Sequence, residues 1–341
     1  MRLYGTAHRY FDSSCRLNPL FALARKGIAE VVISGVSYYK AEGQKHIHGS
    51  DPTVMLIARS LLKPWQFLAA DVAGSEPFWA LGLASHSGQP HHMEQLQRLS
   101  AVAGAGENEI VCPRCFPLDA GINSMMRNAG MQPSRMHHPC AGKHLTALAA
   151  CRHFGYPLER YWDGEHPLQK RFANLIGQLV GERPVWMTDS CGLPTLAVSA
   201  KAHLSLWERL LLSDDPQYVQ LKDLWLHNIR LVGGYGRLES ELMEATGGKV
   251  LAKEGADGLL VVAAFPTASE PASVCLIKLA SGYSATYLAL ALWGVLTRTP
   301  DRGSSMQLVA DYLSSRLETW VPRDQELVLP PFAATSLEGP A

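Results

Sequence analysis

No apolar run in this sequence is long enough to cross a bilayer. The longest, Tyr287 to Leu296 (YLALALWGVL), has about half the required length. Neither sign of charge is in excess: 31 lysines and arginines stand against 31 aspartates and glutamates. A neutral balance without a basic cluster argues against a nucleic-acid partner and against docking on an anionic membrane. The start, MRLYGTAHRYFDSSC, lacks the apolar stretch of a secretory signal. Seven cysteines are too dispersed for a disulfide scaffold, so a reducing, cytoplasmic setting is expected. Internal repeats and low-complexity segments are absent. Charged residues make up only 18% of the chain, which argues against a disordered or coiled-coil protein.

What remains is a chain of 341 residues, 47% hydrophobic, able to bury a sizeable core. Residues 1–26 read as an appended arm, 27–320 as the main domain, and 321–341, with four prolines, as an irregular tail. Strand-like runs occupy 29–36, 258–265 and 273–279. Helical periodicity occupies 64–72, 92–103, 143–154, 167–180, 193–212, 218–231, 238–244, 284–296 and 304–317. Strands at both ends and helices between predict an α+β fold. A mixed, mostly antiparallel sheet flanked by helices would carry a helical subdomain over about 90–250.

Several segments carry chemistry. In Ser60-Leu-Leu-Lys63, positions i and i+3 share a helix face, so Lys63 is expected to reach the Ser60 hydroxyl. Buried among Leu61, Leu62 and Trp65, the amine would lose solvation, its pKa would fall, and it could take the serine proton. The spacing alone is weak, since Ser37-Tyr-Tyr-Lys40 matches it on a strand end. Ser85-His86-Ser87-Gly88-Gln89 closes an apolar run with two hydroxyls and an imidazole, which suits an amide site or an ordinary capped loop.

Cys140-Ala-Gly142-Lys143-His144 has the Gly-Lys of a phosphate loop. His137 stands where that loop's first glycine belongs, and no hydroxyl follows Lys143, so a nucleotide site is disfavoured. Cys140 suits a metal ligand or a small buried core residue. In Asp189-Ser190-Cys191-Gly192-Leu193-Pro194, Asp189 suits a ligand amine or a lysine, and Cys191 a second metal ligand; a helix cap before Pro194 serves equally. Lys253-Glu-Gly255, before the strand GLLVVAAF, would present an ammonium to the serines, or form a plain turn. Cys112-Pro-Arg-Cys115 lacks a second pair at zinc-ribbon spacing, and His46 and His48 fall in a polar loop.

The order of these segments is more specific than any one of them. ARSLLKPWQ, ASHSGQPHH, PCAGKHLTALAAC, DSCGLP, LVGGYGRLESELM and KEGADG, read in sequence over about 27–300, resemble the thermolabile L-asparaginase II family of rhizobia and other bacteria. The resemblance implies a fold similar to serine β-lactamases and glutaminases. It implies two serine–lysine pairs, Ser60 with Lys63 and Ser85 with Lys253, acting on a side-chain amide through an acyl-enzyme. It implies that Arg59, His86, His144, Asp189 and Gly192 line the substrate pocket. It also implies a zinc ion on Cys140, Lys143 and Cys191, no organic cofactor, a small-molecule amide substrate and a homodimer.

The sequence departs from the family at residues 34–39 (SGVSYY), where an Arg-Gly and a Glu-Ser-x-His stretch are expected, and at Gln89, where an acidic residue is expected. Pro139 and Ala141 replace Asn and Ser around Cys140, and Ser190 replaces Gly. These departures are expected to fall on pocket walls. The leading function is therefore an amidohydrolase acting on L-asparagine or a modified asparagine or glutamine. A serine acyl-enzyme of the β-lactamase, peptidase or acyl-transfer type is one alternative, although S-D-N and K-T-G are missing. A catalytically silent zinc-containing binding protein is another.

Overall fold

The computed structural model describes residues 17–44, 46–72, 74–330 and 334–336. Strands β1 (Asn18–Arg25) and β2 (Ile28–Ala41) form a hairpin. Its two-residue turn, Lys26-Gly27, has φ of 49° and 76°, which a glycine in second place makes accessible. β3 (His46–Gly49) pairs with β2, and β4 (Met55–Ile57) belongs to a second sheet.

The chain then enters its helices: α1 (Lys63–Ala70), α2 (Pro90–Ala103), α3 (Ala120–Asn128), α4 (Ala141–Phe154) and α5 (Pro167–Val180). A hairpin of β5 (Val185–Thr188) and β6 (Pro194–Ser199) follows, then α6 (Ala200–Leu212), α7 (Pro216–His227), α8 (Ile229–Val232) and α9 (Leu238–Ala245). The last part comprises β7 (Val250–Gly255), β8 (Leu259–Ala264), β9 (Ser273–Leu279), α10 (Ala285–Thr297), α11 (Gly303–Ser314), α12 (Leu317–Trp320), β10 (Glu326–Val328) and β11 (Ala334–Ser336).

The main sheet runs β10-β1-β2-β9-β8-β7, with β3 and β11 off this path, and every described pairing is antiparallel. β7, β8 and most of β9 are buried on both faces, so they read as continuous apolar runs rather than alternating ones. α10 packs on β1, β2 and β9, while α6 packs on β8 and β9. Under the helices, Trp65, Trp207 and Trp225 are fully buried and meet edge to face at 5.8 and 6.0 Å. The apolar run at 287–296 is part of α10. Among the described residues no helix is long and apolar enough to cross a membrane.

The α+β class and the antiparallel sheet are as expected; several boundaries are not. The arm expected at 1–26 includes β1, a strand inside the sheet whose Phe21 is fully buried, while residues 1–16 lie outside the described residues. Tail residues 326–328 pair with β1, and His48 lies in β3 rather than in a loop. The middle is not all helical. Residues 194–199, expected to begin a helix, form the central strand of the second sheet, β4-β6-β5. Pro194, Thr195 and Val198 favour extended backbone there, and the helix starts only where the Ser199 hydroxyl accepts from the Ala202 N–H.

Candidate active site

Three elements converge on Ser85. The first is the turn Arg59–Leu62, which leads into α1 and packs on β7. Lys63, at the start of α1, is fully buried. The second is the extended segment between the turn Pro77–Gly82 and α2. There the Ser85 and Ser87 N–H groups donate to Val232 O (2.9 Å) and Gly233 O (3.0 Å). The third is β7, where Lys253 and Gly255 share a face because strand side chains alternate, and Leu61 lies against Gly255. Gly234 is required beside this segment: its φ is +130°, and a Cβ there would come within 2.0 Å of Ser87 Oγ.

Ser85 Oγ lies 3.0 Å from Lys63 Nζ and 3.1 Å from Lys253 Nζ. The expected pairing of Lys63 with Ser60 is not what the geometry gives: Lys63 Nζ bonds Ala84 O and Ser85 Oγ, not Ser60. Ser60 sits in a 3-10 turn ahead of α1, with the Lys63 N–H on Ser60 O, while the Lys63 amine is taken by the extended segment that carries Ala84 and Ser85. Ser85 and Lys253 do meet as expected, and Lys63 joins them on the same hydroxyl. Of the look-alike pair, Lys40 forms an ion pair with Glu208 on α6.

The two lysines differ in surroundings. Lys253 Nζ has three acceptors: Ser85 Oγ, Glu239 Oε2 at 2.6 Å and Glu254 O at 3.1 Å. Three acceptors use the three protons of an ammonium. Lys63 has no carboxylate partner. Burial pushes its pKa down to about 8; the Cys140 thiol opposes this, and the charges of Lys253 and Lys143 add to it. With Lys253 donating to Ser85 Oγ, the serine proton is free to point at the Lys63 lone pair.

Residues with no role in the sequence reading complete this corner. Arg237 Nη1 donates to Ser85 O at 3.0 Å, and Arg237 Nε donates to Glu254 at 2.9 Å. The Tyr283 hydroxyl bonds the same carboxyl. Burial pushes the Glu254 carboxyl up despite Arg237. Glu239 and Arg237 stand within the segment LVGGYGRLESELM, but nothing in their spacing announced a contact with a lysine after the next turn.

On the other side, α4 brings in the cysteines. Gly142 allows the approach, because a Cβ there would lie 2.4 Å from Leu81 O. The Cys140 and Cys191 thiols hydrogen-bond each other, and Cys191 also bonds Lys143. That bond pushes Cys140 down and Cys191 up. Burial disfavours charge on Lys143, but Cys191, Cys140 and Asp189 (3.9 Å away) outweigh it and hold the proton on. Cys191 and Gly192 lie in the β5–β6 hairpin turn, not in a helix cap; Gly192 has φ +90° and donates to Asp189 O at 2.9 Å.

Two sulfurs and an amine thus converge, with the softness zinc prefers. Among the described residues no group of three or more His, Cys, Asp or Glu could hold a metal. The third ligand would have to be Lys143, after loss of its proton.

At the mouth, Arg59 pairs with Asp189 (3.1 Å) and Asp257 (3.1 Å). Arg59 and Asp257 both adopt left-handed backbone, φ 51° and 62°, a strain found at functional sites. His86 is fully buried, with neither ring nitrogen hydrogen-bonded; burial, His92 and Lys63 hold it neutral. His144 bonds the Tyr161 hydroxyl at 2.6 Å, and burial pushes its pKa down to about 3.

Of the departures expected on pocket walls, Ser190 accepts from Arg59 Nη2 at 3.3 Å, while Gln89 and residues 34–39 are engaged elsewhere. Gln89 is buried and bonds Asp119 (2.7 Å), Tyr235 O (3.3 Å) and Tyr235 N (2.9 Å), stapling α2 to two loops. Residues 34–39 lie in β2, with the Tyr38 and Tyr39 hydroxyls on the carbonyls of Asp51 and Arg302.

A model of the L-asparaginase II family matches residues 22–320. No curated protein matches the sequence. Similar solved structures include L2 complexed with relebactam, at 14% identity and TM-score 0.38, covering 87% of this chain and 91% of that one. The β-lactamase from Streptomyces albus G matches at 12% identity and TM-score 0.36, covering 83% and 94%. The class A β-lactamase from Mycobacterium abscessus matches at 12% and 0.35, covering 84% and 93%. Likeness this distant bears on neither substrate nor mechanism.

Proposed function

The chain belongs to the L-asparaginase II family, and on that footing we propose that it hydrolyses a side-chain carboxamide, with L-asparagine the leading substrate, through an ester on Ser85. The observation that carries this reading is the single hydroxyl held between an uncompensated buried amine and an ion-paired ammonium.

Lys63, in its neutral form, takes the Ser85 proton as Oγ attacks the amide carbon. Lys253 stays charged and stabilises the forming alkoxide. The C–N bond breaks as Lys63 returns the proton to nitrogen, releasing ammonia and leaving the acyl ester. A water then gives its proton to Lys63 and attacks the ester; as the ester C–O bond breaks, Lys63 passes that proton to Ser85 Oγ, which frees the acid and restores the hydroxyl. Arg59 and Asp189 suit the α-carboxylate and α-ammonium of an amino-acid substrate. His86, neutral and unpartnered, suits a hydrogen bond to the bound amide.

Zinc on Cys140, Lys143 and Cys191 belongs to the same proposal; when bound it would supply a fixed positive charge beside Lys63. Ammonia release from L-asparagine, L-glutamine, D-asparagine and N-acylated or peptidyl asparagines tests the reading. Turnover of at least one amide, lost in Ser85→Ala, is expected. Equal turnover in Ser85→Ala overturns it, and silence on every amide moves the protein to transfer chemistry or to binding alone.

A further inference from the structure

Behind Lys253 lies a carboxylate that the reaction above does not use. Glu239, on α9, is fully buried. Its Oε2 accepts from Lys253 Nζ at 2.6 Å and from the Glu254 N–H. Its Oε1 has no hydrogen-bond partner and lies 3.1 Å from where a Cβ on Gly233 would stand. Full burial of a carboxylate with one oxygen unsatisfied is costly, and stability alone is a poor reason to keep it.

We propose that Glu239 is a positioning residue: it fixes Lys253 as the charged lysine against Ser85, and so leaves Lys63 as the base. The inference rests on the function proposed above. Glu239 touches neither Ser85 nor any group that a substrate would meet; it acts through Lys253.

The groups facing Lys253 are few and sit on distinct elements. They are Glu239 from α9, Ser85 from its loop, the Lys63 amine from α1, and Glu254 beside it on β7. The Glu254 carboxyl is engaged by Arg237 and Tyr283, so it is not free to replace Glu239. Without Glu239, two neighbouring amines would compete for one proton beside one hydroxyl. Ser85 would then no longer face a fixed ammonium.

The test is the rate of Ser85 labelling by a fluorophosphonate, which needs no knowledge of the amide. In Glu239→Gln labelling slows by about tenfold or more, as expected for loss of a charged hydrogen-bond partner of Lys253, while Glu239→Asp, which keeps the carboxylate, restores most of the rate. In a Lys253→Met background Glu239→Gln adds little further loss, because the residue through which Glu239 acts is gone.

Should Glu239→Gln not fold, Glu239→Asp is read instead, and its smaller loss disappears in the Lys253→Met background. A folded Glu239→Gln that is labelled at the wild-type rate, or losses that add in the Lys253→Met background, overturns the proposal. A wild type whose Ser85 the probe never labels overturns the proposed function, and this inference with it.

Discussion

Lys63 and Lys253 approach one hydroxyl from 3.0 and 3.1 Å, but only Lys253 also holds a carboxylate, Glu239, at 2.6 Å. Two amines sharing a serine cannot both act as its base. In the proposed mechanism the carboxylate keeps Lys253 protonated, while Lys63, buried with no carboxylate partner and lowered to about 8, is the base. The predictions below follow from this division of labour.

Activity should rise with pH through the Lys63 titration. Its pKa is lowered to about 8, so kcat/KM should fall by about tenfold per unit well below pH 8, where the amine is protonated. A profile already flat between pH 6 and 9 would show that Lys63 is not the base.

The same lysine makes stability depend on pH. Its folded-state pKa, about 8, lies below the ordinary 10.5, so between these values the unfolded chain binds more protons than the folded one. Stability from this group therefore rises with pH across that window and is lost below it, by about 3 kcal/mol in all. Urea titrations of wild type and Lys63→Met should diverge accordingly: from pH 7 to 10.5 the difference moves in favour of the wild type. No movement would mean that the buried amine titrates normally.

Arg59→Ala should raise KM by about tenfold or more while leaving the fold intact, because a carboxylate clamp contributes about 1.5–3 kcal/mol. Steady-state kinetics on L-asparagine check this. An unchanged KM would remove Arg59 from the substrate-binding set.

Gln89→Glu, which would restore the acidic residue expected at that position, should destabilise the protein by about 1–3 kcal/mol. The Gln89 amide donates to Asp119 at 2.7 Å, and a carboxylate there would face another carboxylate. A thermal melt decides it; a raised melting temperature would contradict the stapling role.

Wild type as purified should carry about one zinc per chain, and Cys140→Ala and Cys191→Ala should carry none. Elemental analysis reads both. A metal-free wild type that stays metal-free after zinc is supplied would leave Cys140, Lys143 and Cys191 as a thiol–ammonium cluster only.

Much of this was legible in the residues. Lys63, Ser85, Lys253, Asp189 and the two cysteines were visible because their neighbours form ordered segments. β9 and α5 were bounded by turn and capping residues that act locally. What was not legible depended on long-range packing. Lys63 turned from Ser60 to Ser85 because Ala84 O and Ser85 Oγ, 21 and 22 residues further on, take its amine, a long-range contact that no spacing rule resolves. The strand at 194–199 hid in a helix-like run because its pairing with β4 and β5 outweighed local propensity. Gln89 was expected on a pocket wall because it replaces an acidic residue of the family, and only its partners on Asp119 and Tyr235 gave its role. Glu239 was invisible because its partner, Lys253, lies beyond the turn that ends α9.

The most direct measurement is the location of the covalent intermediate. A slow amide or ester substrate, quenched in acid during turnover and digested for mass spectrometry, should leave its acyl group on the peptide containing Ser85. An acyl group on Ser60, with Ser85 unmodified, would contradict the account.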